Sequence, residues 1–377
     1  MKKLIYADNA ATTRLNKAAF EAMIPWLLEE YGNASQPYAF ARKPKNALAE
    51  ARTTIAECIN ALPEEIFFTS GGTESDNWAI KGSAFADDEK RATITSSFEH
   101  DAVLHSCKAI ERLGFPVAYL MPTADGVITA PALNGMISNT TRLVSVMYAN
   151  NEIGTIQPIK ELCDVAHVHG ALFHTDAVQA IGHVEVDVQK IGVDMLSASA
   201  HKFNGPKGIG FLYIRKGTKI LRYADGGAQE SVHRAGTENI ASIVGMAIAL
   251  KENFSRLKNN MLYIKSLEVR LLEGLRNAHI PFVCNGGNNT LPGLISLSFS
   301  GADGEAILHR MDLMGISIST GSACDSANAE ISHVLKAIQL GETLAKGTIR
   351  ISLGSNNTEE DVDSIVGALA KILRQTR

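Results

Sequence analysis

Short apolar runs alternate with amphipathic stretches through the first two-thirds of the chain. Six runs have the length and composition of buried strands, and polar residues or glycine close each one. Several intervening stretches repeat apolar residues at helical spacing. This alternation predicts an α/β fold with a mostly parallel sheet and helices on both faces. The predicted strands are 64–70, 91–100, 142–154, 170–179, 193–202 and 208–217, and the predicted helices are 72–86, 100–114 and 159–170.

The pattern changes in the last third of the chain. Residues 239–275 form one long helical segment, which we expect to cross from a first domain into a second. The remainder mixes short strands and helices, as in a small α+β domain. We therefore expect a large domain over 14–255 and a small domain formed by 1–13 and 256–377.

Composition narrows the classes of function. The 377 residues are 45% hydrophobic, which is enough for a large core, and carry a formal net charge of −4. This charge gives no reason to expect nucleic acid or an anionic membrane as partner. We expect neither a transmembrane helix nor a signal peptide, because the apolar runs, including that in "MKKLIYADNAATT", are too short.

The cysteines indicate a reducing compartment. The chain has five, which are widely spaced and form no CxxC pair. We therefore expect neither a disulfide framework nor a structural zinc site, and a cytoplasmic location fits best.

Polar residues at the predicted strand ends suggest chemistry. "TSGGTES" (69–75) can offer backbone N–H groups and a helix N-terminus to a phosphate, although a plain tight turn explains it equally well. Asp176, in "HTDAVQ", can cap a helix or pair with a protonated ring nitrogen. His100 lies at a strand-to-helix junction, where a capping or packed histidine is the commoner case.

Lys202 lies in the most informative stretch, "SASAHKFNGPKGIGFL". A lysine buried near the strand ends has a lowered pKa and becomes an amine nucleophile, whereas a surface lysine in a turn does not. A phosphate cradle, an acidic partner for a pyridinium nitrogen, a ring to stack on and a reactive lysine together match pyridoxal 5'-phosphate.

The segment "STGSACDSAN" (319–328) places Cys324 among glycine, serine and alanine. A cysteine is usually a small buried hydrophobe, so one in a polar, flexible-looking stretch is either incidental or reactive.

These motifs carry a family resemblance. From "YADNAATT" to "GTIRISLG" the chain resembles the cysteine desulfurases, which are class V aminotransferase-like enzymes of fold type I. The combination of "HKFNGPKG" with "GSAC" is the most specific part of the match. The resemblance implies a seven-stranded type of large sheet, a smaller domain that carries the cysteine loop (about 319–332), pyridoxal 5'-phosphate and a homodimer.

The resemblance also implies the cofactor site. Lys202 would bond to the cofactor and move protons at the substrate α-carbon, and Asp176 would pair with the ring nitrogen. His100 would stack on the ring and act as an acid–base group. Thr237 would reach the phosphate bound in the neighbouring subunit. The other implied cofactor contacts are Gly72, Thr73, Asn151, Gln179, Ser199 and His201.

The substrate would be L-cysteine, held by Asn151 and Arg350, with Asn33 as a weaker candidate. The Cys324 thiolate would attack the substrate sulfur, which leaves a persulfide on the enzyme and releases L-alanine. A sulfur-acceptor protein would then take the sulfur for iron–sulfur cluster assembly, tRNA thiolation or another thio-cofactor.

Some segments depart from the family pattern. "GGAQESVHRAGTEN" has Ala228, Ser231 and Val232 where the family usually has glycine, arginine and glycine, and Tyr38 stands in a histidine position. After Arg350, "SLGSNNTEED" lacks the usual arginine–aromatic pair. The end at "ILRQTR" lacks the tail that docks an iron–sulfur scaffold in some relatives, which weakens the expectation of that partner.

Three alternatives remain open. A selenocysteine lyase would share most of these residues, whereas an aminotransferase of the same fold would have no use for Cys324. A non-catalytic sulfur-relay or scaffold protein would have no reason to keep Lys202 and Asp176.

Overall fold

The computed structural model describes residues 4–87, 89–320 and 331–375. Short 3-10 turns lie at 39–41, 63–65, 200–202 and 230–232. The strands are β1 Ile5–Tyr6, β2 Ile66–Thr69, β3 Ala92–Ser96, β4 Val117–Leu120, β5 Thr141–Ser145, β6 Leu172–Asp176, β7 Met195–Ser199, β8 Gly210–Ile214, β9 Val283–Asn285, β10 Leu294–Ser298, β11 Ile316–Ser317 and β12 Thr348–Ser352. The helices are α1 Lys17–Leu28, α2 Arg42–Ile59, α3 Gly72–Ala84, α4 Asp101–Arg112, α5 Ala130–Met136, α6 Ile159–Val168, α7 Val188–Ile191, α8 Ile240–Ser255, α9 Leu257–Asn277, α10 Gly304–Leu313, α11 His333–Ala337, α12 Glu342–Lys346 and α13 Glu359–Gln375.

Seven strands form the large sheet, in the order β2-β8-β7-β6-β5-β3-β4. Every neighbouring pair is parallel except the two pairs that β8 makes. Strands β5, β7 and β8 are buried along their whole length, as expected for a sheet with helices on both faces. The predicted fold class is therefore confirmed, and the six predicted strands correspond to β2, β3, β5, β6, β7 and β8.

The last third of the chain, together with the first residues, forms two smaller sheets. Strands β12, β10 and β9 form an antiparallel sheet, and β1 pairs in parallel with β11. The predicted long helix over 239–275 is two helices, because the backbone at Arg256 leaves the helical conformation between α8 and α9.

Hydrophobic packing follows the same organisation. The first and largest cluster packs around the large sheet, and a second packs α9, α10 and α13 against β10 and β12. A third, smaller cluster packs α3 and α4 against the large sheet. Leu294 and a group of side chains over 334–345 belong to the first cluster, although they follow residue 256. The domain division at 13 and 255 stays a prediction.

The N-terminal segment crosses between the first and second clusters. Ile5 and Ala7 pack in the second, whereas Ala10 packs in the first. We call residues 8–13 the N-terminal strap. Among the described residues, no helix is both long and apolar enough to span a membrane.

Candidate functional site

A cavity of about 780 Å³ opens at the carboxyl ends of β6 and β7. The beginnings of α3 and α4, the N-terminal strap and β12 complete its walls. Ligands in α/β proteins occupy this position because parallel strands direct their following loops to one edge of the sheet. The cavity collects ten of the predicted site residues: Gly72, Thr73, His100, Asn151, Asp176, Gln179, Ser199, His201, Lys202 and Arg350.

The turn before α3 forms a cradle in which side chains do not fit. Gly71 has a φ of +149°, and a Cβ on Gly72 would lie 2.6 Å from Cγ2 of Val178. Helix α3 has 13 residues, so its first N–H groups and its dipole favour an anion at this end. The hydroxyl residues Thr73 and Ser199 line the same wall. A phosphate fits this cradle.

Hydrogen-bond donors compensate the negative charge of Glu74, which lies in the first turn of α3 beside the cradle. Arg234 Nε donates to Glu74 Oε1 at 2.8 Å, and the Ser70 N–H donates to Oε2 at 3.0 Å. Burial pushes the pKa of Glu74 up, but these hydrogen bonds outweigh it, and the pKa falls below its usual value. The carboxylate therefore stays ionised and paired beside the cradle.

Lys202 lies in the 3-10 turn that follows β7 and is half-buried. Its Nζ donates to the carbonyl oxygens of Ala10 at 2.6 Å and Ala11 at 3.0 Å. Gln179 Nε2 donates to the same Ala10 oxygen at 3.0 Å. The strap thus brings the lysine amine and the glutamine amide to one point on the cavity wall.

Two buried acids, Asp176 and Asp76, line the cavity. Asp176 closes β6, and its Oδ1 accepts from the Val178 N–H at 2.9 Å. Burial raises the pKa of Asp176, while the charges of His100 and Lys202 oppose that rise. Burial and the charge of Asp176 raise the pKa of Asp76 well above its usual range. The charge of Asp176 thus acts on Asp76, and Asp176 is placed to face a cationic group.

Asp76 also has a buried oxygen without a partner. Its Oδ1 forms no hydrogen bond within the described part of the chain. The Nε2 of His174 lies 3.7 Å from this oxygen. Burial lowers the pKa of His174 to about 3, so this ring is neutral and brings no positive charge to the acids.

Two of the histidines that line the cavity, His100 and His201, have different surroundings. His100 caps α4, and its Nδ1 accepts from the Ala102 N–H at 3.1 Å. Because Nδ1 accepts this hydrogen bond, Nε2 is the ring nitrogen that can carry a proton. His201 Nδ1 lies 3.2 Å from Thr12 Oγ1. Burial, with the charges of Lys202 and Lys207, lowers the pKa of His201 to about 4, so this ring is neutral at pH 7.

Arg350 lies on β12 and is 5% exposed. Its Nη1 donates to the Asn151 carbonyl at 2.8 Å, and its Nη2 donates to Asp8 Oδ1 at 2.8 Å. The buried Nε has no partner within the described residues. A carboxylate is the usual partner of such an edge of a guanidinium.

Sequence reasoning missed three acids around the site. Asp8 holds Arg350, and Asp76 lies beside Asp176. Glu152 accepts from Ser332 Oγ–H at 2.6 Å, and burial raises its pKa to about 7. The motif "YADNAATT" was a signal for Asp8, whereas the environments of the other acids depend on contacts across the fold.

Two predicted residues, Asn33 and Thr237, are not among the described residues that line the cavity. Asn33 Oδ1 accepts from the Ser35 N–H at 2.9 Å, and Thr237 is exposed. Cys324 lies outside the described residues, and Ile331 and Ser332, which follow that gap, line the cavity.

The assembled groups suit pyridoxal phosphate. The Gly71–Gly72 cradle fits its phosphate, Asp176 fits a protonated ring nitrogen, and Lys202 offers an amine to its carbonyl carbon. The unpaired Arg350 Nε adds a place for a substrate carboxylate. Across the described ranges, no group of three or more histidine, cysteine or acidic residues is placed to hold a metal ion.

Comparison with known proteins finds a matching family model and relatives along the length of the chain. A family model described as aminotransferase class-V matches residues 5–365. A protein named cysteine desulfurase IscS from Clostridium botulinum is 45% identical over 382 residues, which cover 100% of this chain and 96% of that protein. A protein of the same name from Methanosarcina thermophila is 46% identical over 378 residues, which cover 100% of this chain and 93% of that protein.

Solved structures show the same architecture. A structure named NifS-like protein has a TM-score of 0.93 and 37% identity, and the match covers 99% of this chain and 100% of that one. A structure titled SspA in complex with cysteine has a TM-score of 0.83 and 37% identity, over 95% of this chain and 100% of that one.

Proposed function

The chain belongs to the aminotransferase class-V family, and we propose that it is a pyridoxal phosphate-dependent cysteine desulfurase. The reaction converts L-cysteine to L-alanine and transfers the sulfur to Cys324. The observation that carries this proposal is the convergence of Lys202, Asp176, the α3 cradle and Arg350 on one cavity. The relatives named cysteine desulfurase, at 45–46% identity over the whole chain, support the same activity.

Each wall of the cavity would hold or act on a different part of the cofactor or substrate. The α3 cradle and Ser199 would hold the phosphate, and Asp176 would keep the ring nitrogen protonated. When bound, pyridoxal phosphate supplies an electron sink for bonds broken at the substrate α-carbon. Lys202 would move a proton at that carbon, with its amine directed by the strap carbonyls.

The substrate's carboxylate would bind at Arg350 and Asn151. The Cys324 thiolate would then form a bond to the substrate sulfur as the substrate carbon–sulfur bond breaks. The bonding pair leaves with the carbon fragment, which is protonated to L-alanine, and the sulfur stays on Cys324 as a persulfide. We place this activity in the cytoplasm, because a reducing compartment keeps the thiol available.

We further propose that the enzyme is a homodimer and passes its sulfur to an acceptor protein, for which an iron–sulfur scaffold is a candidate. An exposed apolar group on and after α1 supports the dimer, because such side chains are usually covered in the assembled protein. Thr237 is exposed on its own subunit and is available to reach the phosphate of a partner. The exposed apolar group comprises Phe20, Leu27, Leu28, Tyr31 and Phe40.

The test is conversion of L-cysteine by the cofactor-loaded protein and its variants. We expect one L-alanine per sulfur transferred, no turnover after Lys202→Ala, and no persulfide after Cys324→Ala. Cys284→Ala is the matched control, because Cys284 is exposed on β9 and does not line the cavity. Wild-type rates in Cys324→Ala would refute the nucleophile, and absence of L-alanine from the wild type would refute the activity.

A further inference from the structure

Arg350 is fixed by two hydrogen bonds that leave one of its edges open. Nη2 donates to Asp8 Oδ1 and Nη1 donates to the Asn151 carbonyl, both at 2.8 Å. A guanidinium has five N–H donors in a rigid plane, so two such bonds set the direction of the rest. Nε is buried without a partner. The open edge, made of Nε and the second Nη2 hydrogen, therefore suits a carboxylate that approaches side-on.

Asp8 is itself held in register with Arg350. Asp8 forms a parallel bridge with Ser352, two residues after Arg350 on β12. The Asn9 N–H donates to the Ser352 carbonyl at 3.1 Å, and the Ala10 N–H donates to Ser352 Oγ at 2.9 Å. The Asp8 backbone is therefore anchored to the strand that carries the arginine.

The same strap contacts the lysine amine. Lys202 Nζ donates to the carbonyls of Ala10 and Ala11, only two and three residues beyond Asp8. An α-amino acid carries its carboxylate on the α-carbon, so the group that holds the carboxylate needs a fixed separation from the lysine that moves a proton at that carbon. The strap contacts both of these groups in this cavity.

We propose that Asp8 is a positioning residue for the substrate carboxylate and acts through Arg350. This inference rests on the proposed function, since it assumes an α-amino acid in the cavity. Glu152 is another acid that interacts with the Arg350 charge. Without Asp8, the guanidinium would turn towards Glu152, and its Nε edge would no longer face the substrate.

The test compares two ligands that differ by a carboxylate. L-alanine is the proposed product, and ethylamine is the same molecule without the carboxylate. Their dissociation constants for the cofactor-loaded protein are measured by calorimetry and by the change in absorption on binding. Neither ligand needs turnover, so the readout does not depend on activity.

Three variants distinguish the loss of Arg350 positioning from a general loss of structure. Asp8→Ala removes the acceptor, and we expect L-alanine to bind about ten-fold more weakly while ethylamine changes less than about two-fold. Asp8→Asn keeps an oxygen that can accept from Nη2, and we expect L-alanine binding within about three-fold of wild type. Asp312→Ala, on the exposed surface of α10, is the control and should change neither constant.

Equal weakening of both ligands by Asp8→Ala, or no change in either, would overturn the proposal. Asp8→Asn binding as weakly as Asp8→Ala would overturn it as well, because the charge and not the position would then matter. In steady-state assays Asp8→Ala should raise KM for L-cysteine more than it lowers kcat. A wild type that prefers L-alanine to ethylamine but makes no L-alanine from L-cysteine would refute the desulfurase and leave the Asp8 result standing.

Discussion

Glu152 offers a test of the site's electrostatics that does not require turnover. Its side chain is 5% exposed, and its Oε2 accepts from Ser332 Oγ–H at 2.6 Å. Burial raises the pKa of Glu152 from 4.5 to about 7, although the Ser332 hydrogen bond and the Arg350 charge oppose the rise. Between these two values the unfolded chain releases the proton and the folded chain keeps it.

The sign and size of the effect follow from proton linkage. Because the folded state binds more protons in this range, the stability contributed by Glu152 is fully present below about pH 4.5 and is lost as pH rises to about 7. The gap corresponds to about 3 kcal/mol of unfolding free energy. Glu152→Gln cannot ionise, and its amide oxygen can still accept from Ser332.

We therefore expect Glu152→Gln to be close to wild type near pH 5 and more stable by up to about 3 kcal/mol near pH 8. Urea unfolding followed by tryptophan fluorescence at pH 5, 6.5 and 8 measures this difference. Glu50→Gln, on the exposed side of α2, is the matched control and should show the same small difference at each pH. A Glu152→Gln difference that is constant with pH, or that shrinks as pH rises, would refute the reasoning.

Three other substitutions test the surroundings of the cradle. Glu230→Gln breaks the buried bidentate ion pair that Glu230 forms with Arg52, in which both N–O distances are 2.8 Å. This change should lower the unfolding free energy by about 3 kcal/mol in urea melts, and an unchanged midpoint would contradict this. Val232→Gly should raise stability by about 1 kcal/mol, because Val232 has a φ of +64°, and a lower melting temperature would count against that strain. Gly72→Ala should weaken pyridoxal phosphate binding at least about ten-fold in absorbance titrations, since its Cβ would lie 2.6 Å from Val178. Gly367→Ala, on α13 with open space at the Cβ position, is its control and should leave binding unchanged.

The sequence predicted the strands that form the centre of the large sheet because they are short, apolar and followed by polar turns. It did not predict β4, Val117–Leu120, which is an edge strand with only Leu120 buried. Partial burial weakens both the apolar run and the alternation that mark a strand. The sequence pattern did not predict the break at Arg256, because apolar residues at helical spacing continue across α8 and α9.

The cavity residues could be predicted where each lies in a motif at a strand end, as Lys202 and Asp176 do. The acids that tune the site could not be predicted in the same way. Asp8 contacts Arg350 across 342 residues of sequence, and Asp76 is an ordinary helical position until α3 packs over the sheet. Their pKa shifts and hydrogen bonds are consequences of burial, which only the folded chain determines.

The left-handed turn at 230–232 contains two of the residues that depart from the family pattern, Ser231 and Val232. Glu230, Ser231 and Val232 all have positive φ, where glycine is favoured. The Glu230 carboxylate accepts from the Phe68 N–H at 2.9 Å, on the strand that leads to the cradle. The strained turn therefore presents the carboxylate that holds β2.

The central claim is that sulfur moves from L-cysteine to Cys324, and one measurement tests it most directly. The cofactor-loaded protein is mixed with a single equivalent of L-cysteine, L-alanine is quantified, and the peptide that contains Cys324 is weighed by mass spectrometry. The account predicts L-alanine together with one added sulfur on that peptide. L-alanine with an unmodified Cys324 peptide, with or without sulfur elsewhere on the chain, would contradict it.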